Sequence, residues 1–149
     1  MKPISIIAIQ FFSLGLLIIA CTSNPDKSDL TQEVVGIYAS ESENEFDYFK
    51  DTLEIKATDD GRLDIMFLAR WSSAKKDDPQ RPVNQVAGVW NNHGKGKTLV
   101  ADLQASDTTL RISAPMDESV TIVPVDLENG SLSWPHQDGT EETFVRINQ

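Results

Sequence analysis

The stretch RLDIMFLARW, residues 62–71, alternates its side chains in the way that is typical of a half-buried β-strand. One face of this strand would carry Leu63, Ile65, Phe67, Ala69 and Trp71. The preceding Asp59-Asp60-Gly61 favours a hairpin turn, because glycine tolerates the positive φ such turns require. The same period of two recurs along the chain, and no run after residue 33 sustains a helical period. These patterns predict an all-β domain.

Turn sequences such as Glu128-Asn129-Gly130 and Gln137-Asp138-Gly139 divide the rest of the chain into short segments. We expect strands at residues 34–40, 52–58, 62–71, 86–92, 97–103, 108–113, 119–125, 130–134 and 142–147. Regular spacing predicts an antiparallel meander of about eight or nine strands closed as a β-barrel, with a sandwich as the alternative. The large side chains expected to point inward and fill the barrel are Phe67, Trp71, Trp90 and Ile122.

The N-terminal residues have the pattern of an export signal. Lys2 is followed by a mostly apolar run over residues 4–19. The sequence Leu17-Ile18-Ile19-Ala20-Cys21 resembles the lipobox of bacterial lipoproteins. That resemblance implies that residues 1–20 are a signal peptide and that Cys21 becomes the lipidated first residue. Two or three acyl chains would anchor it stably, since each buried methylene contributes about 0.8 kcal/mol. An uncleaved anchor and plain secretion are the alternatives.

The residues after Cys21 are polar and are expected to form a flexible tether as far as residue 32, with a β domain over residues 33–149. Many lipoproteins that stay in the inner membrane have an aspartate directly after the lipidated cysteine, whereas this chain has Thr22 at that position. We therefore expect a protein of the cell envelope, anchored by its lipid in the outer membrane and facing the periplasm.

The chain is acidic, with a formal net charge of −10 at pH 7. An acidic surface repels nucleic acids and anionic lipid headgroups, so we expect neither as a partner. Cys21 is the single cysteine, so no disulfide can form within the domain. The domain must hold together by packing alone.

Two motifs at the ends of the domain predict how the barrel closes. Gly36-Ile37-Tyr38 opens the first expected strand, and Phe144-Val145-Arg146-Ile147 ends the last. The pair resembles the lipocalin-like plan, in which a Gly-x-aromatic motif lies under a basic residue from the chain's end. With Asp51-Thr52-Leu53-Glu54-Ile55, the chain resembles small, uncharacterised lipocalin-like lipoproteins of Bacteroidota. The resemblance implies fold and anchoring but no activity. It predicts that the Arg146 guanidinium lies within about 6 Å of the Tyr38 ring, with Gly36 beside them.

The segment 72–85 is long and charged and holds two prolines, which favours a functional loop. Trp71 and Trp90 flank it, and aromatic side chains at a barrel mouth can line a ligand site or plug the core. The candidate ligand or partner residues are Trp71, Trp90, Lys75, Lys76 and Arg81. We expect a non-catalytic binding role, for either a small apolar ligand inside the barrel or a protein partner at this loop. The alternative is an accessory or inhibitor-type envelope lipoprotein with a filled barrel.

Other motifs fall short of known chemistry. Gly96-Lys97-Thr98 lacks the glycine five positions earlier that a phosphate-binding loop requires. His93 and His136 are the only histidines, too few for a zinc site without thiolates. Asp59-Asp60-Gly61 lacks the ordered ligands of a calcium loop, and no Gly-x-Ser-x-Gly nucleophile turn occurs. We therefore expect no enzyme, cofactor, metal or nucleotide site.

Overall fold

The computed structural model describes residues 27–114 and 119–147. The predicted signal peptide, the lipidation of Cys21 and Thr22 lie outside these residues. A short helix, α1, is followed by nine strands. Their bounds are α1 Lys27–Val34, β1 Gly36–Glu43, β2 Asp47–Ala57, β3 Leu63–Ala74, β4 Asn91–Asn92, β5 Leu99–Gln104, β6 Thr109–Ser113, β7 Val120–Asp126, β8 Ser131–Pro135 and β9 Glu141–Arg146.

All strands but β4 form a closed antiparallel barrel in which each strand pairs with its neighbour along the chain. The ring closes where β1 meets β9, with Tyr38 opposite Arg146. The two-residue β4 pairs with the end of β3. This confirms the predicted lipocalin-like β-barrel over the sandwich. One end of the barrel is called the mouth. At this end β1 and β3 finish, and β2 and β9 begin.

The half of the barrel away from the mouth is filled by apolar side chains. An eight-stranded barrel is just wide enough for inward side chains to occupy its interior. Leu53, Ile55, Leu63, Ile65 and Phe144 are completely buried there, and every strand except β4 contributes at least one member to the same cluster. Protein side chains therefore occupy the part of the interior where a small apolar ligand was one of the expected occupants.

Helix α1 corrects the predicted tether. Leu30 and Val34 lie one turn apart, so they share a face of the helix, and both are buried in the core cluster. The helix has only eight residues, too few to show an amphipathic period in the sequence, and packing rather than propensity stabilises it. The folded domain thus includes α1 rather than beginning at residue 33. Among the described residues, no helix is long and apolar enough to span a bilayer.

A β-bulge in β3 reverses which face its side chains occupy. Leu53 pairs with Phe67 while Thr52 pairs with Ala69, so Leu68 is an extra residue opposite the β2 ladder. Before the bulge the odd-numbered residues of β3 point inward. After it Trp71 lies on the outer surface and is 36% exposed, so its predicted inward position is wrong.

The predicted strand at 86–92 is also wrong, apart from its last two residues. Residues 75–90 form a loop. It begins three residues later than the predicted loop of residues 72–85 and ends five residues later. Asn84 and Gly88 adopt positive φ, of 54° and 76°, which a continuous strand does not allow. Trp90 is 38% exposed, and Ile122 on β7 is exposed as well, so neither fills the barrel.

Candidate functional site

Four exposed aromatic side chains gather at the mouth of the barrel. They are Phe46, Tyr48, Trp71 and Trp90, and the described residues expose no other aromatic side chain to a comparable degree. Lys50 connects three of them, because it pairs across the sheet with Trp71, lies two residues from Tyr48, and holds its ammonium 5.2 Å from the Trp90 ring. We call these four residues the aromatic patch.

Cations lie over three rings of the aromatic patch. The pairs are Lys50 with Trp90 at 5.2 Å, Lys75 with Tyr48 at 5.0 Å and Arg81 with Phe46 at 6.0 Å. Each cation also pairs with a carboxylate, in the pairs Lys50–Glu41, Lys75–Glu43 and Arg81–Asp47. Such contacts contribute only about 0.5–1 kcal/mol each at exposed sites. They nevertheless order the rings, and an ordered surface loses less entropy when a partner binds.

Buried polar contacts fasten the loop of residues 75–90 to the barrel. Arg81 donates two hydrogen bonds to Asp47, from Nη1 at 2.9 Å and from Nη2 at 2.6 Å. These bonds hold the pKa of the buried Asp47 below its ordinary value. The buried side-chain oxygen of Asn84 accepts hydrogen bonds from Ser72 and Asn91. The loop is thereby held in one position at the mouth.

The five predicted contact residues have different environments. Trp71 and Trp90 belong to the aromatic patch, and Lys75 lies beside it. Lys76 is exposed and forms no ion pair with another described residue. Arg81 is mostly covered and forms an ion pair with Asp47, so it holds the loop of residues 75–90 against the barrel.

A second feature of the mouth is a polar cleft of about 670 Å³. Its walls are the β1–β2 turn, the inner face of β2 and β3, and the β8–β9 turn. The side chains that give it its chemistry are Ser42, Phe49, Asp51, Arg70, His136 and Glu142. We call this the polar cleft.

Asp51 and Glu142 form the floor of the polar cleft. Both are 8% exposed. Asp51 accepts hydrogen bonds from Arg70 Nε at 3.3 Å and from the backbone N–H of Trp71, while Glu142 accepts from Ser40 and, at 3.2 Å, from Ser42. Burial, and then the negative charge of Glu142, raise the pKa of Asp51 above its ordinary value. The two carboxylates therefore repel each other in a poorly hydrated site.

Sequence reasoning missed this cleft as a site. His93 and His136 are both exposed. Each nevertheless has a partner, since His93 Nε2 lies 2.6 Å from Ser72 Oγ and His136 Nε2 lies 3.5 Å from Glu142 Oε2. The available signal was a carboxylate at one inward position near the mouth on each of two strands, Asp51 on β2 and Glu142 on β9. Within residues 27–114 and 119–147, no group of three His, Cys, Asp or Glu side chains could hold a metal ion.

The geometry defines a small antiparallel barrel with a filled core and two surface features at its mouth. No family model, curated protein or solved structure matches the chain. The assignment of function therefore depends on the physical chemistry of these two features.

Proposed function

We propose that this is a lipid-anchored envelope protein that binds a protein partner through the aromatic patch. The observation that carries the proposal is that the four exposed aromatic side chains gather on one pre-ordered surface, while the barrel core is filled. Exposed apolar clusters of this kind mark interaction sites in soluble domains. Aromatic side chains supply much of the binding energy at protein interfaces.

One charge beside the aromatic patch is open to an acidic side chain of the partner. Lys50 and Lys75 are already paired with Glu41 and Glu43, whereas Lys76, which lies near Phe46, forms no ion pair with another described residue. Lys76 is exposed and its ammonium is available to a carboxylate of the partner. Opposite charges at the rim of an interface accelerate association and set its orientation.

Lipid anchoring at Cys21 is compatible with this surface being presented away from the membrane. Helix α1 ends beside the start of β1, which is the end of the barrel opposite the mouth. The six-residue step from Cys21 to Lys27 can span at most about 20 Å, and the helix itself is only about 12 Å long. The anchor would therefore hold the closed end near the bilayer and leave the aromatic patch facing outward.

Site-specific photocrosslinking in the host envelope tests the proposal. A photoreactive phenylalanine analogue is placed at Trp71 or at Trp90, and as controls at Val120 or Ile122, which are apolar positions on β7 that are at least as exposed. We expect one discrete adduct, of the same mass, from both patch positions and none from the controls. Lys76→Glu should weaken that adduct several-fold if the partner's contact surface is acidic.

Two outcomes would contradict the proposal. Adducts of equal yield from β7 would mean that the aromatic patch has no special affinity. A stoichiometric apolar molecule released on denaturation in native mass spectrometry of the full chain, with no adduct from either patch position, would instead support the small-ligand alternative.

A further inference from the structure

The polar cleft holds opposite charges in an arrangement that the fold itself does not need. Asp51 on β2 and Glu142 on β9 lie on the two strands that flank β1. Ser40 on β1 is the cross-strand partner of Asp51 and donates a hydrogen bond to Glu142. The three side chains thus form a row across the inner surface, with a carboxylate at each end.

The negative charge of this row is only partly compensated. Asp51 accepts a long hydrogen bond from Arg70 Nε, at 3.3 Å, and a second hydrogen bond from the backbone N–H of Trp71. His136 lies 3.5 Å from Glu142 and is exposed. A buried carboxylate is costly unless a cation or several donors satisfy it. An ammonium group placed between Asp51 and Glu142 would provide the missing charge and up to three donors.

Arg70 supplies the complementary feature. Its side chain is 56% exposed, and the guanidinium lies 5.4 Å from the Phe67 ring, which restricts its position. Within the described residues its two terminal nitrogens make no hydrogen bond, because its one such contact uses Nε. These two nitrogens present the planar pair of donors that binds a carboxylate.

We infer that the polar cleft binds a small molecule with an α-amino-acid head group, whose ammonium lies between Asp51 and Glu142 and whose carboxylate lies on Arg70. The ammonium and carboxylate of such a head group are close together, as the contact between Asp51 and Arg70 requires. The volume of about 670 Å³ leaves room for a side chain beside Phe49. This site is separate from the aromatic patch, and its existence does not depend on the proposed partner.

Isothermal titration calorimetry of the full chain in detergent tests the inference with three matched probes. The probes are L-leucine, isoamylamine and 4-methylpentanoate. Isoamylamine lacks the carboxylate of leucine, and 4-methylpentanoate lacks the ammonium of leucine. We expect leucine to bind and each analogue to bind at least about tenfold more weakly, because each loses one charge-assisted contact. Equal affinity of either analogue, or no heat from leucine, would overturn the inference.

Variants distinguish this site from any other that binds leucine. Arg70→Gln should lower the affinity for leucine about tenfold or more and leave the weak affinity for isoamylamine unchanged. Glu142→Gln should also lower the affinity for leucine. It should lower the affinity for isoamylamine as well and leave the affinity for 4-methylpentanoate unchanged. Arg111→Gln is the matched control, since Arg111 is an exposed arginine on β6 outside both the polar cleft and the aromatic patch. Unchanged leucine affinity in both folded cleft variants, checked by circular dichroism, would place the binding elsewhere and overturn the inference. Photocrosslinking from Trp71 in Arg70→Gln reports on the partner site separately.

Discussion

The guanidinium of Arg146 lies 5.3 Å from the centre of the Tyr38 ring and donates a 2.8 Å hydrogen bond from Nη2 to the Tyr38 hydroxyl. The same hydroxyl donates a 2.7 Å hydrogen bond to the carbonyl oxygen of Val34. Gly36 makes room for this arrangement, since a Cβ there would lie 3.3 Å from Arg146 Nε. One buried phenol therefore connects the last strand, the first strand and helix α1. The predicted closure at Gly36, Tyr38 and Arg146 is confirmed.

Tyr38→Phe is expected to destabilise the protein by about 1–3 kcal/mol, because it leaves the Val34 carbonyl and Arg146 Nη2 without their partner in a largely buried site. Urea unfolding of the full chain in detergent measures this change in the free energy of unfolding. The matched control is Tyr48→Phe, the only other tyrosine, which is exposed on the aromatic patch and should cost little. Equal stability of the two variants would contradict a structural role for the Tyr38 hydroxyl.

Leu30→Ala should lower the free energy of unfolding by about 2–3 kcal/mol, since it removes a buried side chain from the core cluster and leaves a cavity. The neighbouring Glu33 is exposed on the same helix, so Glu33→Ala serves as the control. Denaturant titration of both variants compares them. No loss in Leu30→Ala would mean that residues 27–32 behave as part of a tether, as the sequence analysis predicted.

Asp47→Asn should lower stability at pH 7 and loosen the loop of residues 75–90. Hydrogen bonds from Arg81 lower the pKa of Asp47 below 3.8 in the folded protein. A carboxylate with a depressed folded pKa adds stability above its unfolded pKa and loses that stability as the pH falls through the folded pKa. The difference between wild type and variant should therefore shrink below about pH 4.

Unfolding measured from pH 7 to pH 2.5, together with limited proteolysis of the loop, tests this prediction. Asp102→Asn, at an exposed position on β5, should show no comparable effect. A loop that resists protease equally in Asp47→Asn would show that the Arg81–Asp47 pair does not fasten it.

Asp51→Asn should have the opposite effect on stability. Burial and the charge of Glu142 raise the pKa of Asp51 above 3.8 in the folded state. The folded state then holds a proton that the unfolded chain releases, so stability falls as the pH rises from about 4 through the raised pKa. Removing the carboxylate should therefore stabilise the protein at pH 7, with the gain vanishing below about pH 4.

The same pH series of unfolding measurements applies to Asp51→Asn, with calorimetry of leucine binding in parallel. Greater stability combined with loss of binding is the pattern expected of a group retained for a ligand at the expense of stability. A variant less stable than wild type at pH 7 would show that Asp51 contributes to folding through its contact with Arg70.

Local sequence was enough to predict the barrel strands, because side-chain alternation and turn glycines act over a few residues, whereas the closure at Tyr38 and Arg146 was predicted from the resemblance to the lipocalin-like plan. Gly61 and Gly130, for example, adopt the positive φ of 78° and 60° that the predicted turns require. The alternation in residues 62–71 runs without interruption through Trp71, so it gave no sign that Leu68 is bulged. A bulge depends on the pairing of β3 with β2, and this pairing is a property of the folded sheet.

Tertiary structure alone decided the interior and the mouth. Helix α1 exists because Leu30 and Val34 find a core to pack against, and no local signal of eight residues carries that information. Asp51, Arg70 and Glu142 are distant in sequence, and they come together only because β1 closes the barrel between β2 and β9. The aromatic patch likewise requires the bulge to turn Trp71 outward beside Lys50. Both surface features depend on strand register, which is fixed by the summed packing of the whole barrel rather than by any one segment.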